Sequence, residues 1–378
     1  MIQIDGNWQR TYENAIGRWV GVGPYYAMFP NEFAFEVISQ FTTPDDWVLD
    51  PFAGRFTSVY AAVAQGRNGL GIEINPVGWV YGESKLHAAP REQVEARLKQ
   101  VCNRARYFGK RSYKELPEFF LHCYTPKVLS FLLAAKHDLD WQNNQTDTTL
   151  MGLILVFLHA KSGSGLSNQM RQSKAMAPDY SVKWWCERNM EPPDLDPLEF
   201  MQAKIEWRYK HGQPALNGTG NAILADSTVE LTQVAKKIGQ RELPQFKLLL
   251  TSPPYYDITH YHYDQWLRYW MLGGPCRPSK AENPHRGRFS SQTIYRELMD
   301  TVFKQSAPLM AEDATIYVRT DKRNFTLETT RETLHRYFPG WQFEEIDRPF
   351  NNPTQTKLFG DFALKPGEVD IILKRQPH

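Results

Sequence analysis

Four short apolar runs in this chain end abruptly in acidic or proline residues. Residues 47–49 are followed by Asp50, the run within 68–76 reaches Glu73, and the run within 221–227 reaches Asp226. The leucines at 248–250 stop at the sequence TSPPYY. Because proline lacks the backbone N–H that a sheet ladder needs, this run predicts a strand that ends in a rigid segment.

These runs alternate with helical patterns. A segment with helical spacing, 57–66, separates the first two runs, and together they have the size of a βαβ unit. Residues 313–319 and 368–375 predict the last strands, with a helix over 331–338 between them. The alternation predicts an α/β fold with a doubly wound, Rossmann-like sheet. Ligands of such sheets lie at the carboxyl ends of the strands, so we expect the three acids to line one crevice.

The middle of the chain, residues 84–215, departs from this alternation. It contains helix-like runs followed by irregular polar sequence, and it is far too long for an ordinary connection inside an α/β core. We therefore predict a domain formed by 1–83 and 216–378, with 84–215 as an inserted, mostly helical domain.

Composition restricts the class of protein. No stretch has the length of apolar sequence that a membrane span needs, and the N-terminus has no pattern typical of a secretory signal. The four cysteines are widely separated, which fits reduced thiols and predicts a cytoplasmic location. The net charge is only +2, but residues 99–114 contain six basic residues and no acid. Such a cluster indicates either a polyanion-binding patch or a solvated helix face.

The polar residues at the strand ends suit a nucleoside cofactor. Gly54 lies in the turn DPFAGRFT, where it allows a ligand to approach the backbone closely. Glu73 follows at the spacing expected of an acid that binds the two ribose hydroxyls, and Asp226 is placed to accept a hydrogen bond from an exocyclic amine. A Walker phosphate loop is absent from the sequence, which disfavours ATP hydrolysis.

The ordered series VLDPFAGRFT, GIEINP, ILADS and LLLTSPPYY resembles the motifs of the S-adenosylmethionine-dependent amino-group DNA methyltransferases. SPPY resembles the form found in N4-cytosine enzymes, and GPYYAMFPNEF (23–33) resembles the segment that closes over the methionine end of the cofactor. The match covers roughly 19–80 and 216–378. It implies S-adenosyl-L-methionine as cofactor, bound by Tyr25, Phe29, Pro30, Asp50, Phe52, Ala53, Gly54, Thr57, Glu73, Ile74, Asn75, Asp226 and Ser227.

One position departs from the family pattern. The family usually has glycine where this chain has Phe56. A large side chain there would either narrow the methionine pocket or point away from it.

The tetrapeptide Ser252-Pro253-Pro254-Tyr255 matches the family's catalytic motif, and its chemistry suits an amine. The exocyclic amine of a base is a poor nucleophile because its lone pair is delocalised into the ring. Ser252 Oγ and the stiffly held Pro253 carbonyl are candidate acceptors for the amine hydrogens, and Tyr255 supplies a ring for stacking. A base inside a duplex cannot reach such a pocket, so base flipping is implied. No metal or covalent nucleophile is required. His260 and His262 are interpreted as hydrogen-bonded structure rather than as a catalytic base.

The insertion is the expected target-recognition region because of its position. Its candidate DNA-binding residues are Arg104, Lys110, Arg111, Asn168, Gln169, Arg171 and Lys174, together with Gln172. Trp184 and Trp185 are candidates to wedge or stack. The alternative interpretation of 162–181 is a polar surface loop.

The sequence thus predicts a DNA methyltransferase that acts on the N4 amine of cytosine in double-stranded DNA. Methylation of adenine N6 is the second interpretation and RNA methylation the third. A DNA-binding module that has lost catalysis is the fourth, and Phe56 is the feature that favours it. The resemblance also implies a restriction endonuclease or other defence-system partner.

Overall fold

The computed structural model describes residues 13–24, 30–257, 261–278, 288–349 and 367–375. The strands are β1 (Trp47–Asp50), β2 (Asn68–Glu73), β3 (Gly220–Leu224), β4 (Phe246–Thr251), β5 (Met310–Asp321), β6 (Trp341–Arg348) and β7 (Glu368–Arg375). They form one sheet in the order β3-β2-β1-β4-β5-β7-β6. The pairs from β3 to β5 are parallel, and β7 runs antiparallel to both β5 and β6. This arrangement confirms the predicted Rossmann-like α/β fold.

Helices cover both faces of the sheet. In the first part of the chain they are α1 (Ala15–Val20), α2 (Asn31–Phe41), α3 (Thr57–Ala64) and α4 (Pro76–Leu86). In the last part they are α11 (Ser227–Gly239), α12 (Tyr261–Asp264), α13 (Trp266–Met271), α14 (Gln292–Ser306) and α15 (Asn324–Tyr337). Strand residues alternate between the two faces: Leu248 and Leu250 join one hydrophobic cluster, and Leu249 joins the other.

Residues 84–215 are mostly helical in the structure. Their helices are α5 (Arg91–Ala105), α6 (Glu118–Cys123), α7 (Pro126–Asp138), α8 (Gln145–Phe157), α9 (Pro178–Cys186) and α10 (Pro197–Tyr209), with a 3-10 turn at Lys110–Tyr113. The apolar side chains of these helices belong to the same hydrophobic cluster as those of α3 and α4. Close packing is visible at Gly152 of α8, where an added Cβ would lie 2.1 Å from Ser84 Oγ of α4. The insertion therefore shares a core with one face of the sheet.

None of the described helices combines the length and apolar character required to cross a bilayer. The four cysteines are free.

Candidate active site

The site lies where the strand order reverses, between β1 and β4. The two strands are adjacent and parallel, so their carboxyl ends open side by side. This is the topological switch point at which doubly wound sheets bind ligands. The turn 50–57 follows β1, and Ser252-Pro253-Pro254-Tyr255 follows β4. The fold therefore brings the two most distinctive motifs of the sequence together although they are 200 residues apart.

Asp50 connects these two motifs. Its buried carboxylate accepts hydrogen bonds from the Phe52 amide at 3.1 Å, from Thr251 Oγ1 at 2.7 Å and from Ser58 Oγ. Burial raises the pKa of Asp50 to about 6, against the lowering effect of these hydrogen bonds. With its oxygens directed into the protein, Asp50 holds the turn against the end of β4.

Glu73 shapes the same turn from the neighbouring strand. Its Oε2 accepts from the Gly54 amide and its Oε1 from the Asn75 amide, both at 2.7 Å. Burial raises the pKa of Glu73 to about 8, although both hydrogen bonds lower it, and the Asp50 carboxylate adds to the increase. No lysine, arginine or histidine of the described chain pairs with Asp50 or Glu73. Glu73, which unlike Asp50 is only partly buried, suits a ligand that brings hydroxyl groups.

The other residues assigned to the turn are structural neighbours of these acids. The Ala53 amide donates to the Ile72 carbonyl at 3.0 Å. Thr57 Oγ1 accepts from Arg55 Nε at 3.1 Å. Asn75 caps α4 by accepting from the Val77 amide at 3.0 Å, and Ile74 lies between Glu73 and this cap. These hydrogen bonds hold the turn and the N-termini of α3 and α4 in place without a ligand.

Phe56 points away from the turn's open side. It adopts the left-handed conformation with φ 60° and ψ 37°, in which glycine is normally favoured. Its ring is fully buried, and it occupies the space where a Cβ on Gly71 or Gly82 would be, at 2.8 and 2.3 Å respectively. The ring is therefore packed between β2 and α4.

Arg55, which the sequence interpretation missed, ties the turn to the segment before α2. Its guanidinium donates to the Gly23 carbonyl at 3.1 Å and to Asn31 Oδ1 at 2.8 Å. Pro30 begins α2 at its N-cap position, beside this contact. Tyr25 and Phe29 lie outside the described residues. The sequence gives no sign of this role, because Arg55 follows no motif that would indicate its distant partners Gly23 and Asn31.

Asp226 makes more intramolecular contacts than the sequence implies. It caps α11 by accepting from the Thr228 amide at 3.0 Å. It also forms a two-pronged ion pair with Arg288, at 2.7 and 2.9 Å. These contacts lower the pKa of Asp226, although burial opposes them. The neighbouring Ser227 hydroxyl donates to the Pro51 carbonyl. A contact with an exocyclic amine must therefore share this carboxylate with Arg288.

The tetrapeptide is held on two sides. Pro253 and Pro254 are buried, and the Pro254 carbonyl accepts from Tyr295 Oη at 3.0 Å. Tyr255 Oη donates to Glu368 Oε1 of β7 at 2.7 Å. Burial and the Glu368 carboxylate hold the pKa of Tyr255 well above its usual range. Tyr295 and Glu368 were also missed, because each lies at least 40 residues beyond the motif it holds. His260 and the side chain of His262 lie outside the described residues.

The structure corrects two expectations for the insertion. Asn168 is only 2% exposed, and its amide group donates to the His122 and Met190 carbonyls, so it is not placed to contact a base. Trp185 is fully buried and donates to the Gln169 carbonyl at 2.9 Å, so it cannot wedge between bases in this conformation. The prediction of DNA contacts failed here because composition does not distinguish the two cases. An exposed polar loop and a buried segment with hydrogen-bonded polar groups contain the same residue types.

The rest of loop 162–181 is bonded to the helices that follow the tetrapeptide. Lys174 Nζ pairs with Asp264 Oδ1 at 2.5 Å. The Gln172 carbonyl accepts from Arg268, while the Gln172 side chain donates to the Val156 carbonyl at 3.1 Å. The Arg171 carbonyl is bonded to His159 Nδ1 at 2.7 Å. The loop is thus fixed against α8, α12 and α13 by hydrogen bonds and an ion pair.

The basic cluster of α5 and the following turn is solvent-facing. Arg104, Lys110 and Arg111 are exposed, as are Lys99, Arg106 and Lys114. Tyr107 is 62% exposed, with the guanidinium groups of Arg104 and Arg106 at 5.3 and 4.8 Å from its ring centre. This arrangement offers cations and an aromatic face together.

Comparison with known proteins places the similarity in the first part of the chain. Residues 3–77 match the model of a family described as DNA methylase. The type II methyltransferase M.MthZI of Methanothermobacter thermautotrophicus is 28% identical over 92 residues, 24% of this chain and 26% of that protein. The DNA adenine methyltransferase YhdJ of Escherichia coli (strain K12) is 36% identical over 83 residues, 22% of this chain and 28% of that protein.

Solved structures give only a weak overall similarity. The rRNA methyltransferase aviRa from Streptomyces viridochromogenes aligns with 98% of this chain and 93% of its own, at a TM-score of 0.36 and 11% identity. The chain spans about a quarter of the length of the curated relatives that it matches. The matched segment 3–77 nevertheless contains the turn 50–57 and Glu73, and by this segment the chain is similar to the amino-group DNA methyltransferases.

Proposed function

We propose that this protein transfers a methyl group from S-adenosyl-L-methionine to an exocyclic amine of DNA, and specifically to N4 of cytosine. One observation carries the proposal. Asp50 bonds both the cofactor turn and Thr251, the residue before Ser252-Pro253-Pro254-Tyr255. A cofactor on the turn and an amine on the tetrapeptide would therefore meet at the switch point.

The residues present fit the cofactor. Glu73 would hold the ribose hydroxyls, and Asp50 would hold the turn in place beneath the ligand. Gly54 has φ 55°, and its carbonyl lies so close to Gly78 that a Cβ there would be 2.3 Å away, so the turn and α4 leave a tight backbone cradle. When bound, the cofactor supplies a methyl group already activated by its sulfonium. Arg55 would hold Gly23 and Asn31 beside the methionine end.

Ser252 and Pro253 act on the amine. Their hydroxyl and carbonyl oxygens would accept the amine hydrogens and favour the tetrahedral nitrogen that attacks the methyl group. The Pro254 carbonyl is already occupied by Tyr295, which fixes the direction of the preceding peptide. An extruded base is required, because the tetrapeptide lies at the end of a buried strand. The cation cluster of α5 would contact the DNA backbone.

Adenine N6 is the second candidate. It is favoured by the relative that is 36% identical, which is named a DNA adenine methyltransferase. The chemistry at Ser252 and Pro253 would be the same, and only the shape of the base pocket would differ.

The test is methyl transfer from S-adenosylmethionine to unmethylated DNA of diverse sequence, followed by nucleoside mass spectrometry, with RNA in parallel. N4-methylcytosine is the expected product, and N6-methyladenine would move the activity to the second candidate. A Ser252→Ala sample is the matched control. It should lose turnover while its cofactor dissociation constant, measured by calorimetry, stays within about threefold of the wild type. Methylated RNA alone, or no methylated nucleoside, would overturn the proposal.

A further inference from the structure

The catalytic tetrapeptide is connected to an acid on a distant strand. Glu368 begins β7, and its Oε1 accepts the hydrogen bond from Tyr255 Oη at 2.7 Å. The Ser252 side chain lies beside the Tyr255 hydroxyl and lowers its pKa, against the larger effect of burial. The three groups therefore lie in series, from the predicted amine acceptor to a carboxylate.

The far end of this chain reaches solvent. The Glu368 side chain is 22% exposed, and Tyr255 is partly buried. Arg319 Nε lies 3.8 Å from Glu368 Oε2 and 2.6 Å from Asp370 Oδ1, so its charge is shared between the two acids. Glu368 therefore has one oxygen turned to the tyrosine and a route to water.

Methylation of an amine leaves a proton to be removed. When the amine nitrogen forms its bond to the methyl carbon, the carbon–sulfur bond breaks and its electron pair stays on sulfur. The nitrogen has used its lone pair and carries positive charge until it releases one hydrogen as a proton. Inside a closed pocket that proton needs an acceptor.

We propose that Ser252, Tyr255 and Glu368 carry this proton from the reacting nitrogen to solvent. Ser252 Oγ takes the amine proton and gives its own to Tyr255 Oη, which gives its own to Glu368 Oε1. The amine ends neutral, the two hydroxyl groups are restored, and Glu368 releases the proton to water. The proposal rests on the proposed function, and it assigns to the Tyr255 hydroxyl a task separate from stacking by its ring.

Two variants separate the relay from stacking and from support of the pocket. Tyr255→Phe keeps the ring and removes the hydroxyl. Glu368→Gln keeps an oxygen that can accept from Tyr255 but cannot take up a proton. Glu344→Gln, exposed on the neighbouring strand β6, is the matched control. Single-turnover methyl transfer to unmethylated DNA would be measured beside thermal unfolding and the dissociation constant for S-adenosylmethionine.

We expect Tyr255→Phe and Glu368→Gln each to slow transfer by about 100-fold, as loss of a proton acceptor does. The double variant should be no slower than either single one, because both interrupt the same chain. Cofactor affinity should stay at the wild-type level, the wild-type reaction should slow in D2O, and Glu344→Gln should match the wild type.

A wild-type rate in Glu368→Gln or in Tyr255→Phe would overturn the relay while leaving the proposed function intact. Multiplicative effects in the double variant would also overturn it. If the wild type transfers no methyl group to DNA, the proposed function fails, and the relay fails with it.

Discussion

Phe56 combines a strained backbone with a large buried side chain. We expect Phe56→Gly to relieve about 1 kcal/mol of left-handed strain but to lose more by emptying the space between Gly71 and Gly82, for a net loss of about 2 kcal/mol. Urea unfolding measures the difference. Gly66→Ala is the control for strain alone, because Gly66 has φ +73° and nothing within 4 Å of an added Cβ. A Phe56→Gly protein more stable than the wild type would show that the ring contributes no packing.

Glu73 makes folding stability depend on pH in an unusual direction. Its pKa is about 8 in the folded protein against an ordinary 4.5, so the folded state holds a proton that the unfolded state has lost between these values. The cofactor-free wild type should therefore lose stability relative to Glu73→Gln as the pH rises from about 5 to about 8, on the order of 2 kcal/mol. Denaturant titrations at each pH measure this. The exposed Glu344→Gln should show no such trend, and a parallel pH dependence in wild type and Glu73→Gln would refute the buried-acid account.

At the scale of elements, loop 162–181 is bonded to α12 and α13, which follow the tetrapeptide. Besides the Lys174–Asp264 pair, the Gln265 side chain donates to the Ser173 carbonyl at 2.9 Å and Trp266 Nε1 donates to the Met176 carbonyl at 3.1 Å. The insertion thus supports α12 and α13, the two helices that follow the tetrapeptide in the chain.

Lys174→Met distinguishes a structural role of Lys174 from the DNA contact that the sequence predicted. It would leave Asp264, which is 4% exposed, without its cation, and we expect a loss of about 1–3 kcal/mol in unfolding free energy. Lys183→Met on α9 removes an exposed lysine from the same segment and should change stability by less than about 0.5 kcal/mol. An unchanged stability with weakened DNA binding would restore Lys174 to the role of a DNA contact.

The elements that the sequence predicted are those with a strong apolar signal. Strands β1, β2 and β4 are largely buried runs that end in a polar residue, and the partly buried β3 is followed closely by Asp226. Strand β6 was missed because WQFEEIDR is mostly polar, and its side chains are mostly exposed at the edge of the sheet. The ends of β1 to β4 could be placed at one edge from topology rules, but Arg55, Arg288, Tyr295 and Glu368 could not, since their contacts depend on packing between distant segments.

At the scale of the molecule, charge is unevenly distributed despite a net value of +2. If the α5 cluster contacts DNA phosphates, Lys110→Gln with Arg111→Gln should lower the slope of log affinity against log salt by about 2. Lys236→Gln with Lys237→Gln is the control, because these exposed lysines lie on α11, across the sheet from α5. Fluorescence anisotropy with labelled duplex DNA at several salt concentrations measures both slopes. Equal slopes for the two double variants would exclude the cluster as the DNA contact.

The position of β7 between β5 and β6 has a consequence for how the protein folds while it is being synthesised. Among the described strands β6 pairs with β7 alone, and Glu368 enters the site at the first residue of β7. During synthesis, strands β1 to β4 can therefore assemble early. The edge of the sheet at β5 stays unpaired until residues 368–375 have left the ribosome. Strand β7 follows the other described strands in the chain, and it both pairs with β5 and β6 and delivers Glu368 beside Tyr255. A nascent chain that already contains the turn 50–57 and the tetrapeptide therefore still lacks this acid.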